Sequence, residues 1–263
     1  LGYPVYDKER WRLAYEAARD VIAMNEYKLF KWDQTGDANS DNSTPEPGWG
    51  FYAVTSMASD FANFTQSKDG EVFKDGAFCE IILDKTAAKG NSREGRYGPP
   101  TSGGGGEGGY IYKELADAFP MLDGKPIGES KYAYDVYKPN LNRDPRFANS
   151  VLYDGGYFCT GVSTYTPIKI SQGVGATLDA VHVGTPTGFY VKKTCSRATC
   201  GHSFIGVPQS RPLIRYAEIL LNYAEAANEY YGPDYSDQYT NIYDALKTIR
   251  SRAGIEPGDD GMY

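Results

Sequence analysis

Two thiols and an imidazole crowd together near residue 200: Cys195 and Cys200 lie five positions apart, and His202 follows two later. Thiolate and imidazole are donors that zinc prefers, but no fourth ligand is evident and the interval between the cysteines is marginal for that metal. The same interval suits a local disulfide in an oxidising compartment, and two plain thiols are the third reading. Nothing else points to catalysis. His182 and His202 are the chain's two histidines, and neither sits in a G-x-S-x-G elbow or an H-E-x-x-H helix. Six glycines (Gly103 to Gly106, Gly108 and Gly109) lack the Lys-Ser/Thr of a phosphate loop and read as a flexible excursion. Asp37-Ala38-Asn39-Ser40-Asp41 alternates oxygen ligands as a calcium loop does, yet Asn42 and Gly48 stand where Gly and Glu are required. With 34 acidic residues, no carboxylate pair stands out as a glycosidase dyad. Asn42-Ser43-Thr44 and Asn63-Phe64-Thr65 match the glycosylation acceptor pattern, which matters only in a eukaryotic secretory host. The pattern nominates no catalytic residue, no cofactor and no metal centre.

Aromatic residues in loop-like sequence carry a clearer signal. Trp49, Phe51 and Tyr52 follow a Pro47-Gly48 turn, while Tyr97 and Tyr110 flank the glycine run. Such rings offer a face on which the axial C–H groups of a pyranose stack. The candidate glycan contacts are therefore Trp49, Tyr52, Tyr97 and Tyr110, with Arg96 placed to hydrogen-bond the hydroxyl rim alongside Asn91 and Arg93. The competing reading is that these rings pin long loops onto a helical body. Tyrosine is abundant throughout, 23 against 11 Phe and 3 Trp, which suits half-polar recognition surfaces as well as helix packing seams.

The elements that must position these residues are mostly helical. Trp11, Ala14, Tyr15, Ala18, Val21 and Ile22 share one face of a helix predicted over about Lys8 to Met24. A second helix is predicted from about Pro212 to Tyr231, stopped by Gly232-Pro233, with Leu213, Ala217, Leu220, Ala224, Ala227 and Tyr231 on one stripe. A third runs from about Ile242 to Ala253 and ends at Gly254. The last two form an antiparallel hairpin of tetratricopeptide type, which needs further helices to bury its second face. Residues 33–50 and 84–109 read as long loops. Short strands are expected at Cys79–Leu83, Ala148–Tyr153 and Phe189–Lys193, and a short helix at Tyr112–Phe119. The strands are too few for a sheet-based core.

The 263 residues carry 27 basic and 34 acidic groups, net −7, without a basic stripe, so nucleic acid is a poor partner. The apolar runs, Ile81-Ile82-Leu83 and Ile219-Leu220-Leu221 among them, fall far short of a membrane-spanning helix. The sequence opens Leu1-Gly2-Tyr3-Pro4, as a mature protein, a proteolytic product or a fragment would.

Several stretches together carry a family resemblance. Arg211-Pro212-Leu213-Ile214-Arg215-Tyr216-Ala217-Glu218-Ile219-Leu220-Leu221-Asn222-Tyr223-Ala224-Glu225-Ala226, with Ile249-Arg250-Ser251-Arg252-Ala253-Gly254 after it, resembles the helical signature of the SusD/RagB family. Trp11 to Phe30, Phe78 to Leu83, Glu114 to Ile127, Asn142 to Phe147 and Gly188 to Lys193 occur in that family's order. The resemblance implies a mainly α, SusD-like fold of tetratricopeptide-type helical pairs with long loops and a few short β-hairpins. It implies that residues 1–263 are a single C-terminal domain of a longer protein. The family's biology would make this a non-enzymatic, outward-facing outer-membrane lipoprotein of Bacteroidetes, its lipid anchor preceding Leu1. It would bind polysaccharide for nutrient uptake and pass it to a TonB-dependent, SusC-like transporter. A glycan-degrading enzyme, or a helical protein–protein module without sugar, are the alternatives. The oxidising surface compartment so implied favours the Cys195–Cys200 disulfide.

Overall fold

Helix α1 forms over Glu9–Ala23, where the apolar period runs. The computed structural model describes residues 5–31, 48–56, 66–68, 71–73, 79–87, 97–102, 109–161, 164–193, 195, 209–258 and 261. After α1 come α2 (Trp49–Ser56), β1 (Gln66–Lys68), β2 (Glu71–Phe73) and β3 (Ile81–Ala87). Next are α3 (Lys113–Ala118), α4 (Pro145–Ser150), β4 (Val151–Leu152), β5 (Tyr157–Gly161), β6 (Thr164–Pro167) and β7 (Tyr190–Val191). The chain closes with β8 (Gln209–Arg215), α5 (Tyr216–Tyr231) and α6 (Ile242–Ala253). Among the described residues the strands pair only in twos, all antiparallel: β1 with β2, β3 with β8, β4 with β7 and β5 with β6. Ribbons of this size fasten segments together but enclose no core. The fold is mainly α, as expected.

The main core lies where α1 and α6 pack against α5. Ala217, Ala224, Ala226 and Ala227 on α5 let its neighbours approach closely, and Tyr15, Ala18, Leu220, Tyr223, Ile242 and Ala245 fill the seams. Helix α1 thus supplies the extra helix that a lone α5–α6 hairpin requires. Tyr15 is 2% exposed, with ring centroids of Tyr223, Tyr231 and Tyr235 at 5.4, 5.3 and 5.5 Å. Its hydroxyl lies 2.8 Å from that of Tyr235 and donates to Asp237 Oδ2 at 2.9 Å, and burial raises its pKa above the ordinary phenol range. These tyrosines are seam residues with a satisfied polar tip. Helix α6 starts on Asn241, whose side chain accepts from Asp244 N, and ends at Gly254 in the left-handed region at φ 80°.

Three expected boundaries are corrected. The strand expected over Cys79–Leu83 runs over Ile81–Ala87, because pairing with β8 carries it into the stretch expected as loop. Helix α5 begins at Tyr216 rather than Pro212, because Gln209–Arg215 extend to pair with β3, and Tyr216 N donates to Glu80 O at 2.8 Å. Leu213, expected on the helical stripe, is consequently 56% exposed. The Ala148–Tyr153 strand is shorter, because α4 takes its first three residues and leaves Val151–Leu152 to β4. Asp144 accepts from Arg146 N at 2.8 Å and Pro145 occupies the first turn, which together start a helix.

Candidate ligand-binding site

Trp49 and Tyr52, expected on a loop platform, are interior residues of α2. The sequence Trp-Gly-Phe-Tyr-Ala-Val is apolar on every side, so the helix it forms has to be buried all round. Trp49 is 6% exposed, Tyr52 is fully enclosed, and the Tyr52 hydroxyl donates to Cys195 O at 2.6 Å. Gly48 leads into the helix at φ 81°, where a Cβ would lie 3.1 Å from Ala253 O at the end of α6. Neither ring offers a face to a sugar. Both belong to the body, as the competing reading had it.

Tyr97 and Tyr110 are brought together. Both are half-buried against the cluster of Leu152, Phe158, Ile168, Ile170, Tyr190 and Cys195. Tyr110 meets Tyr190 edge-on at 6.1 Å and forms a β-bridge with it. A Cβ on Gly109 would fall 1.8 Å from Tyr97 Cδ1, so the Tyr97 ring lies directly on the Gly109 backbone. Gly109→Ala is therefore expected to lower stability by about 1–3 kcal/mol through overpacking. Thermal melts should show most of that cost vanish in a Tyr97→Ala background, and an equal cost in both backgrounds would place the clash elsewhere. Tyr112, two residues on from Tyr110, is an exposed ring that the loop aromatics singled out from sequence do not include. Along Tyr110-Ile111-Tyr112 the middle side chain is buried and Tyr112 is left 75% exposed. The alternation was available as a signal.

Arg96, Asn91, Arg93, the Asp37–Asp41 stretch, Cys200 and His202 lie outside the described residues. Cys195 is buried with its Sγ 3.4 Å from Val191 O. Among the described residues no group of His, Cys, Asp or Glu is arranged to hold a metal ion.

A groove of about 520 Å³ opens between α2, α3 and α4. Its apolar wall includes Phe51, Leu115, Phe119, Val151 and Val191, and two cations, Arg146 and Lys193, enter it. Arg146 donates to both oxygens of the buried Asp144 carboxylate, at 2.5 Å from Nη2 to Oδ2. Lys193 Nζ stands 4.9 Å from the Phe51 centroid, and burial, with Arg215 and Arg146 nearby, holds its pKa below the ordinary lysine value. Sequence reasoning had no access to this groove, whose walls come from four separate segments.

The motifs behind the family resemblance hold the fold in place. Arg143 of Asn142–Phe147 ties the end of α3 to the turn before α4, and Asp144 next to it in sequence caps α4. Asp123 accepts from Lys125 N, Ser130 Oγ and Lys131 N, and Gly124 turns at φ 78°, where a Cβ would meet Arg250 of α6.

Compared with known proteins, residues 79–263 match the family model described as the SusD family. A SusD-like carbohydrate binding protein from Bacteroides fragilis shares the fold at TM-score 0.61 and 17% identity, over 94% of this chain and 41% of that one. A second SusD-like protein from the same species shares it at TM-score 0.61 and 21% identity, over 95% of this chain and 44% of that one. The chain spans less than half the length of these relatives. No curated protein matches it.

Proposed function

This chain belongs to the SusD family, and we propose that it serves non-catalytic capture of glycan at the outward face of the bacterial outer membrane. The captured polysaccharide would pass to a TonB-dependent, SusC-like transporter. The family match across residues 79–263 carries this reading. The fold shared with a carbohydrate binding protein supports it. No described helix is long and apolar enough to cross a membrane. Attachment through a lipid anchor is part of this proposal and rests on the family alone.

Within the chain, the glycan contacts we propose are Tyr97 and Tyr110, with Tyr112 beside them in sequence and Arg96 next to Tyr97. Stacking one pyranose on such a ring contributes about 0.5–1.5 kcal/mol, by analogy with aromatic pairs. Tyr97→Ala and Tyr112→Ala are each expected to weaken binding several-fold, measured by affinity electrophoresis well below the variants' melting temperatures. Unchanged mobility in both variants would return Tyr97 to loop pinning and Tyr112 to ordinary surface.

The same electrophoresis, run through gels containing a panel of polysaccharides, tests the function itself. The expected result is retardation by at least one polysaccharide with no new reducing ends after long incubation. New reducing ends would make the protein an enzyme. No retardation by any polysaccharide, together with stable association with the transporter, would make it a protein–protein module.

A further inference from the structure

The groove between α2, α3 and α4 contains a feature that glycan capture does not use, a cation set in an apolar wall without a counter-charge among the described residues. Its volume of about 520 Å³ falls within the range of small-molecule sites. Phe51, Leu115, Phe119, Val151 and Val191 would leave most sugar hydroxyls without hydrogen-bond partners, so a glycan ring is a poor occupant.

Two buried carboxylates of this region are already engaged. Asp144 holds Arg146, and Glu80 holds Arg215 and Arg252. Among the described residues none pairs with the Lys193 ammonium, whose neighbours are the Phe51 ring and two further cations. The local field is positive, and it faces an oily cleft.

We propose that this groove binds a small amphipathic anion, a carboxylate carrying an alkyl or aryl body. The carboxylate sits at Lys193, where it supplies the missing counter-charge. The body lies along Leu115, Phe119, Val151 and Val191 and displaces water from them. Neither half suffices alone, because a neutral isostere lacks the charge and a short carboxylate lacks the body. The site is independent of Tyr97 and Tyr110, so it stands or falls apart from glycan capture.

Isothermal titration with octanoate, 1-octanol and acetate tests it. Octanoate should bind saturably and about tenfold or more tighter than 1-octanol, since a charge-assisted contact carries that difference, while acetate shows no binding. Lys193→Gln should remove the advantage of octanoate over octanol, and Lys193→Arg should keep it. Ala118→Trp, at an exposed position on the groove's rim, should fill the mouth and abolish binding of both. Equal affinity for octanol and octanoate, or octanoate binding untouched by Lys193→Gln or by Ala118→Trp, overturns the proposal.

Discussion

Glu80→Gln is expected to lower the unfolding free energy by about 3–5 kcal/mol, the usual cost of removing one partner from a buried ion pair. The Glu80 side chain is fully buried. Its Oε2 accepts from Phe30 N at 3.0 Å and from Arg252 Nη1, and its Oε1 accepts from Arg215 Nη1 at 2.7 Å and Arg252 Nη2 at 3.3 Å. The Arg252 side chain is itself only 3% exposed. Glutamine keeps the shape, so no cavity complicates the result. It deletes the negative charge that faces two guanidinium groups and turns an amide NH₂ toward donors. Four segments meet at this carboxylate: the stretch after α1 through Phe30, β3, β8 through Arg215 and α6 through Arg252. Losing it should loosen all of them together, so the urea midpoint should fall with an unchanged slope. In a double-mutant cycle Glu80→Gln and Arg252→Gln should be strongly non-additive. A loss below about 1 kcal/mol would show that water already shares the site.

The sequence is legible where its information is local. Helices α1 and α6 follow from apolar residues recurring at helical spacing and, for α6, from Gly254 as a stop. The start of α5 was not legible. Arg211 to Arg215 look helical alone, and only pairing with Ile81–Ala87, far off in sequence, draws them into a strand. For α4 the signal was present. Asp144-Pro145 is a helix-start pair, but Val151-Leu152-Tyr153 a few residues on, followed by the Asp154-Gly155 turn, suggests a strand.

The site divides in the same way. Tyr97 and Tyr110, flanking the glycine run, do come together, because Gly109 gives Tyr97 a backbone to lie on. Trp49 and Tyr52 look like loop aromatics because of the Pro-Gly before them, although the apolar stretch Phe51 to Val54 marks a segment that packs inward. What makes Lys193 distinctive is that no counter-charge pairs with it among the described residues, and that depends on neighbours from distant segments. The family was recognisable for a related reason. Its motifs are brackets that fold these segments together, and such residues reveal the scaffold without revealing the ligand.

Arg143→Lys keeps the charge and is nevertheless expected to cost about 2–4 kcal/mol, because buried carbonyls left unpaired cost about 1–3 kcal/mol each. Arg143 is 4% exposed and donates to four backbone carbonyls, two of them in buried bonds: Ala116 O at 2.7 Å and Pro139 O at 3.3 Å, with Phe119 O at 2.8 Å and Pro120 O at 3.3 Å part-buried. Ala116 and Phe119 stand at the end of α3, where Pro120 has no N–H with which to continue the helix. One planar guanidinium replaces the missing turn. It also lies 4.6 Å from the Phe147 centroid and 5.4 Å from that of Tyr134, a sandwich that a tetrahedral ammonium cannot fill. Lysine can keep one or two of the four bonds and loses the stacking. The damage should concentrate at α3, a six-residue helix with little stability of its own. Hydrogen exchange at Leu115 N and Ala116 N, both bonded to Tyr112 O, should accelerate more than exchange at α5, whose core packing Arg143 does not touch. Because Leu115, Ala118 and Phe119 form one wall of the groove, octanoate binding should weaken in the same variant while Tyr97 and its glycan contacts are unaffected. Equal acceleration at α3 and α5 would mean that Arg143 supports the whole fold rather than this corner. A cost under about 0.5 kcal/mol would mean that water reaches the four carbonyls.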